Sequence, residues 1–303
     1  MKKGNFPLSG KTAGEGLNKK HKAYSAGLWG YLLILPSFAG VCLFQLIPYL
    51  RSLFYTFTQG IVTPRFVGLE NFAALLSDPL FLQAAGNTFL FLAVGGVLVL
   101  ALSLFVGFVC GKAPFTWQRW AILLPLVVPA ASLALGWQSL FGADGLVNQI
   151  LSRMGLPARD FLYGEAAFPL MVLLYLLKNV GYLSIILADA IQRFPPEHRD
   201  NYLLDSSSET GYVFSILLPQ LRSTMLFCAI VAISNYFLMF RDIYALYGDN
   251  PPARLYMLQH FMNRNFYQLN YQRLSTAAFL TSFVMAVLIV VWLYTRRRRN
   301  HVE

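Results

Sequence analysis

Apolar residues in this chain gather into long unbroken runs rather than alternating with polar ones. A helix rising about 1.5 Å per residue needs about 20 apolar residues to cross a hydrocarbon layer about 30 Å thick. Six stretches meet that length: Leu28–Phe54, Thr88–Gly111, Ala121–Phe141, Ala166–Ala188, Met225–Tyr247 and Leu274–Tyr294. The fourth is interrupted by Lys178 and Asn179, but the runs MVLLYLL and VGYLSIILA on either side are apolar. The pattern predicts an all-α integral membrane protein with six transmembrane helices, and no internal repeat is visible.

Between and around these runs the chain divides into parts. Residues 1–27 read as a disordered basic cytoplasmic tail, residues 28–295 as the transmembrane domain, and residues 296–303 as a basic cytoplasmic C-terminus. The Lys-rich start followed by an apolar segment resembles a secretory signal. That segment is too long for a signal core and lacks a small-x-small cleavage site, so it is expected to stay as the first helix. Trp29, Tyr31, Trp117, Trp120, Trp292 and Tyr294 sit near the expected helix ends, as an aromatic belt does.

Composition agrees with a lipid solvent. Of 303 residues 56% are hydrophobic, which leaves too little polar surface for a water-soluble globule. The net charge of +10 sits in short runs flanking the apolar stretches, so it reads as membrane-flanking charge on lipid and not as a nucleic-acid surface. With both termini inside, 15 of the 24 Lys and Arg residues fall on the inner side, which orients the chain in the cytoplasmic membrane. The terminal run Arg296 to Arg299 acts as a stop-transfer anchor against anionic lipid.

Few residues carry chemistry. Cys42, Cys110 and Cys228 lie in apolar stretches without CxxC or Cys/His spacing, so they read as packing residues and no metal site is expected. GNFPLSGKT, residues 4–12, looks like a phosphate-binding loop but has five residues between its glycines instead of four. No nucleophile elbow or paired-carboxylate arrangement appears, and the sequence assigns no catalytic residue and no cofactor to this chain. Polar residues inside a membrane helix are costly and are functional suspects. Lys178 and Asn179 in the fourth run, with Asn235 and Tyr236 in the fifth, are candidates to line a solute path, since amides beside aromatic faces suit a sugar. The same residues could instead form hydrogen bonds between helices.

The longest connection expected on the inner side, residues 194–219, is patterned as folded structure. Pro195 and Pro196 stop the preceding helix and open a new one; Tyr202, Leu203 and Leu204 give it an apolar edge. Ser206 to Glu209 match a capping box that would start a second short helix. Such a segment could lie on lipid headgroups or dock a partner.

The same segment resembles the cytoplasmic loop of binding-protein-dependent ABC importer permeases, with its Glu-Ala-Ala, Asp-Gly and Ile-x-x-Pro pattern. Asp200 stands at the Glu, Asn201 and Tyr202 at the two Ala, Asp205 and Ser206 at Asp-Gly, and Ile216 and Pro219 at the closing pair. Asp for Glu, Asn-Tyr for Ala-Ala and Ser for Gly are departures. Further runs are similar to the sugar-type branch: Phe44 to Pro48, FVGLENFAALLSDPLFLQAAGNT from Phe66, LLPLVVPA from Leu123, WQSLFGADGLVN from Trp137 and FRDIYALYGDNPP from Phe240. The resemblance implies a permease subunit that imports a sugar or related carbohydrate. It also implies a second permease subunit, two ATP-binding subunits that carry the nucleotide, and an extracytoplasmic solute-binding protein. The ATPases would seat on Asp200, Tyr202, Leu203, Leu204, Asp205, Ser206, Glu209 and Pro219. The alternative from another class is an ion-coupled secondary carrier of a small polar solute, with Lys178 as the coupling charge.

Overall fold

The structure is a computed structural model that describes residues 30–60, 63–111, 117–206 and 208–299. The expected N-terminal tail, the phosphate-loop look-alike, Ser207 and residues 300–303 lie outside the described residues.

Helix α1, Gly30–Thr56, carries a π-helical turn at Cys42–Leu46 and packs mainly on the last helix. It leaves Leu33, Phe38 and Phe44 exposed, an apolar coat that suits lipid and not water. A two-residue hairpin follows, β1 Thr58–Gln59 antiparallel to β2 Arg65–Phe66, and then α2, Glu70–Leu76. Helix α3 is Pro79–Gly111 and begins nine residues before the expected Thr88. The reason is local: Asp78 Oδ1 accepts the Leu80 N–H at 2.9 Å, and Pro79 suits a first helical position, where no N–H is required.

The third apolar stretch is not one helix. It divides into α4, Trp117–Val127, and α5, Ala130–Phe141, because Pro129 is extended at φ −59°, ψ 145°. Proline removes a backbone donor and pushes the residue before it out of the helical region, which an apolar-run count does not register. Helix α6, Leu146–Arg153, precedes α7, Ala167–Gln192, which runs unbroken through Lys178 and Asn179. After α7 come α8, Pro196–Asp205, and α9, which opens at Glu209–Tyr212, passes through a π-helical turn at Val213–Leu217 and ends in Leu218–Gln220. The fifth apolar stretch forms α10, Arg222–Leu238, and α11, Phe240–Tyr247, joined at Met239. Helix α12, Leu258–Tyr267, leads into α13, Tyr271–Arg299, which takes in the terminal arginines.

Among the described residues four helices are long and apolar enough to cross a membrane: Gly30–Thr56, Pro79–Cys110, Ala167–Gln192 and Arg222–Tyr247. The centre of the molecule is the pairing of α3 with α7. A Cβ on Gly107 would lie 3.0 Å from both Leu187 Cβ and the Ser184 carbonyl, so a side chain there would press the two helices apart by a few tenths of an ångström. Gly181 similarly admits the Ile122 backbone of α4. Phe91, Tyr175, Leu183, Cys228, Tyr236 and Ile243 fill the core around that seam, and the Tyr175 hydroxyl donates to the Ala232 carbonyl at 2.8 Å.

Candidate functional site

The polar residues of the fourth and fifth apolar stretches meet where α4 gives way to α5. Lys178 of α7 places Nζ 2.8 and 2.9 Å from the two carboxylate oxygens of Asp242 on α11. Side-chain exposures of 17% and 4% leave little water to solvate either charge. One residue along α7, Asn179 accepts the Asn235 amide on its Oδ1 at 2.7 Å and donates to the Tyr175 carbonyl at 2.8 Å. The two pairs therefore tie α7 to α10 and α11 side by side. A lone lysine at mid-helix costs about 2.5 to 3.5 kcal/mol on insertion scales, and pairing with Asp242 offsets it.

A cavity of about 300 Å³ opens on this cluster. Lys178, Asn179, Asn235, Arg241 and Asp242 supply its polar wall, and Val127 to Ala130, at the break between α4 and α5, supply much of the rest. Leu133 N–H donates to the Pro129 carbonyl at 3.0 Å, and no side chain caps the start of α5, so its first N–H groups face the break. A larger apolar groove, about 390 Å³, lies between α10, α12 and α13 and is lined by side chains such as Ile233, Phe237, Met262 and Met285. The smaller cavity is the better solute site, since orienting a polar solute requires hydrogen-bonding groups and the larger groove offers few.

Three of the four intramembrane residues singled out in the sequence thus share one cavity, and Tyr236 does not. Tyr236 is on another face of α10, 1% exposed, with its ring 5.3 Å from Phe91 and its hydroxyl 3.2 Å from the Met257 sulfur. Sequence reasoning missed Asp242 and Arg241. The usable signal was Lys178 itself: a buried cation demands a carboxylate, and Asp242 is the acidic residue within the apolar stretch Met225–Tyr247.

The segment from α8 to α9 is anchored on one side only. Tyr212, Leu217 and Leu221 are buried against Leu104 and Phe108 of α3, Ile191 of α7 and Tyr202 of α8. The Arg199 guanidinium is bonded to the Glu209 carboxylate, joining the two short helices; this contact holds the guanidinium further above its ordinary pKa, and burial raises that of the Tyr212 phenol. The capping expected from Ser206 is corrected. Ser206 is extended at φ −144°, ψ 120° and terminates α8, while Ser208 starts α9, its Oγ accepting the Gly211 N–H at 3.1 Å. Glu209 reaches Arg199 of α8. Asp200 and Leu204 face outward, Leu204 84% exposed, whereas Tyr202 and Leu203 are half-buried; Asp205 closes α8, and Pro219 sits in the last turn of α9.

The motifs that carried the family resemblance elsewhere act mostly as ties. Asn87 donates to the Ala253 and Tyr256 carbonyls at 2.7 and 2.9 Å, and Thr88 accepts the Leu258 N–H at 3.0 Å, which fixes the start of α12 on α3. Asn71 donates to the Thr56 and Thr58 carbonyls, both at 3.0 Å. Asn148 bonds the Gly142, Ala143 and Arg159 carbonyls and so closes the connection around α6. Beside the α12 tie, burial pushes the His260 imidazole down to about 4, leaving it neutral at pH 7.

Comparison with known proteins gives this arrangement a context. No family model matches the chain. It is 25% identical to the lactose transport system permease protein LacF of Rhizobium radiobacter over 282 residues, covering 89% of this chain and 95% of that one. It is 26% identical to the trehalose/maltose transport system permease protein MalF of Thermococcus litoralis, covering 94% and 98%. The chain's homologues are sugar ABC transporter permeases. Such proteins are transporter subunits and not enzymes. The fold is that of a bacterial ABC transporter involved in the import of the acidic polysaccharide alginate, with a TM-score of 0.76 at 20% identity over 93% of this chain and 99% of that one. A further structure of an alginate ABC transporter, in complex with an alginate pentasaccharide-bound periplasmic protein, aligns with a TM-score of 0.74 at 20% identity over 89% of this chain and 94% of that one.

Proposed function

We propose that this chain is a membrane-spanning permease subunit of an ABC importer for a sugar or related carbohydrate. The observation that carries the reading is the near full-length likeness, in sequence to sugar permeases and in fold to an importer. Helices α1, α3, the α4–α5 pair, α7, α10–α11 and α13 make six crossings, with both termini and the α8–α9 segment in the cytoplasm; the distribution of Lys and Arg supports that orientation. A second permease subunit completes the path, an external binding protein delivers solute, and two separate subunits hydrolyse ATP.

Coupling enters through α8 and α9. The buried face of this segment rests on α3 and α7, so a push on it moves the helix that bears Lys178 and Asn179. Its outward face presents Leu204 and Asp200, which suit an apolar groove with a basic edge on an ATPase. In the secondary-carrier alternative Lys178 would be a free coupling charge; its bond to Asp242 favours the permease reading.

The test is the double change Leu204→Asp with Asp205→Lys. Both substitutions fall on the last turn of α8, away from the membrane helices. The expected result is loss of the ATPase from purified complexes and loss of uptake, with the permease still in the membrane. Wild-type copurification with persisting uptake would reject docking at this segment.

A further inference from the structure

The charges around the cavity do not balance. Lys178 and Asp242 are bonded to one another through both carboxylate oxygens and are nearly closed to water, so together they present little net charge. Arg241, one residue before Asp242, also lines the cavity, is exposed, and has no carboxylate partner among the described residues. Among the described residues no other acidic side chain lines this cavity. An arginine on a membrane-embedded surface is costly when it faces lipid, which favours a watered path or a partner at the face that carries Arg241 and the cavity mouth. Arginine offers a planar fork of donors that matches a carboxylate or a phosphate bidentately.

We infer that the solute is an anionic carbohydrate, carrying a carboxylate or a phosphate that pairs with Arg241 while Asn235 contacts its hydroxyl groups. This rests on the permease reading and adds the charge of its substrate. Asn235 is suited to that second role because, among the described residues, one of its amide hydrogens is engaged, on Asn179 Oδ1, which leaves its own Oδ1 and the other hydrogen for a ligand. Asn179, by contrast, is 4% exposed and bonded at both ends of its amide, so it positions Asn235 and does not itself reach the solute. The bonded Lys178 and Asp242 hold α11, and hence Arg241, in register with α7. The uncapped start of α5 at the same break adds favourable partial positive charge, secondary to the guanidinium.

The experiment uses the assembled transporter with its binding protein and ATPase subunits, in cells given a mixed pool of oligosaccharides, with depletion followed by mass spectrometry. The pool contains oligogalacturonides, their neutral methyl esters, malto-oligosaccharides, and glycerol and hexose phosphates. The expected result is depletion of uronate or phosphate members, the arm depleted naming the anion. Arg241→Gln should slow that depletion by about tenfold or more, as loss of one charge-assisted pair implies, and Arg241→Lys by less. Membrane abundance of each variant, measured in parallel, corrects the rates. Depletion of the neutral members alone, or anionic depletion unchanged in Arg241→Gln, overturns the inference and leaves the importer reading standing. Depletion of no member by an assembled, membrane-located complex counts against both.

Discussion

The membrane cluster at Lys178 and the α8–α9 segment solve opposite problems. In the cluster polar groups lie in an apolar surrounding, and the buried ones find partners within the chain: Lys178 with Asp242, and Asn179 with Asn235 and the Tyr175 carbonyl. In the segment the residues out of place are apolar, Leu204 and Phe214, and nothing among the described residues covers them. A buried charge without a partner costs several kcal/mol, so the chain must carry its own counter-ion to insert and fold. An exposed leucine costs far less and can wait for a second protein. The difference separates what this subunit must complete alone from what it leaves to assembly.

The comparison breaks most visibly at the ion pair. Asp242→Leu leaves the Lys178 ammonium buried without a counter-charge, and a buried pair broken from one side loses about 3 to 5 kcal/mol. Membrane abundance is expected to fall steeply in Asp242→Leu and in Lys178→Met, and to recover in the double variant, where neither charge remains. Quantitative immunoblotting of membranes reads this. Normal accumulation of the Asp242→Leu protein would mean that Lys178 reaches water by another route and that the cluster is not closed.

A smaller effect distinguishes neighbours on α10. Tyr236 is packed against Phe91 and Phe237, so Tyr236→Leu is expected to lower abundance by the cost of a core cavity, about 2 to 4 kcal/mol, with transport per molecule retained. Asn235 lines the cavity, so Asn235→Leu is expected to leave more protein in the membrane and to slow uptake per molecule. Uptake and abundance measured on the same cells separate the two. The reverse pattern would place the solute on the Tyr236 side of the helix.

Legibility in the sequence followed the range of the interaction that decides each feature. Apolar runs located the main helices because burial in lipid is set by composition over about 20 residues, and that needs no knowledge of neighbours. The break at Pro129 was visible as a proline but was absorbed into an apolar count, although local backbone sterics override hydropathy at that point. Lys178, Asn179 and Asn235 stood out because each is polar in an apolar run. Their grouping did not, because it depends on how α7, α10 and α11 rotate against one another, and that rotation depends on close approaches such as Gly107 on Leu187. Tyr236 was grouped with Asn235 for the same reason: which of two adjacent residues meets the cavity depends on how α10 is rotated, and in the fold Tyr236 packs against Phe91 instead. Asn71, Asn87, Thr88 and Asn148 were legible as motif letters only; that they bond backbone carbonyls and amides across the fold is a property of the folded chain.

The smallest effect concerns the start of α9, and it sharpens the statement that the α8–α9 segment is rigid on its anchored side. Sequence reading set the cap at Ser206, but the backbone of Ser206 is extended and its N–H bonds back to the Tyr202 carbonyl at 2.9 Å, so it ends α8. Ser208 Oγ instead accepts the Gly211 N–H and also lies 2.9 Å from the Thr210 hydroxyl. Removing a serine N-cap costs about 1 kcal/mol, which is about a fivefold change in a local opening equilibrium. Ser208→Ala is therefore expected to speed amide hydrogen exchange in the first turns of α9 by about that factor. Ser206→Ala should leave those amides within about 0.5 kcal/mol of wild type, the range usual for a substitution away from a cap. Because Tyr212 and Leu217 remain packed against α3, the loosening should stay within α9 and not spread to α7. Equal protection in the two variants would mean that the Ser208 cap does not set where α9 begins.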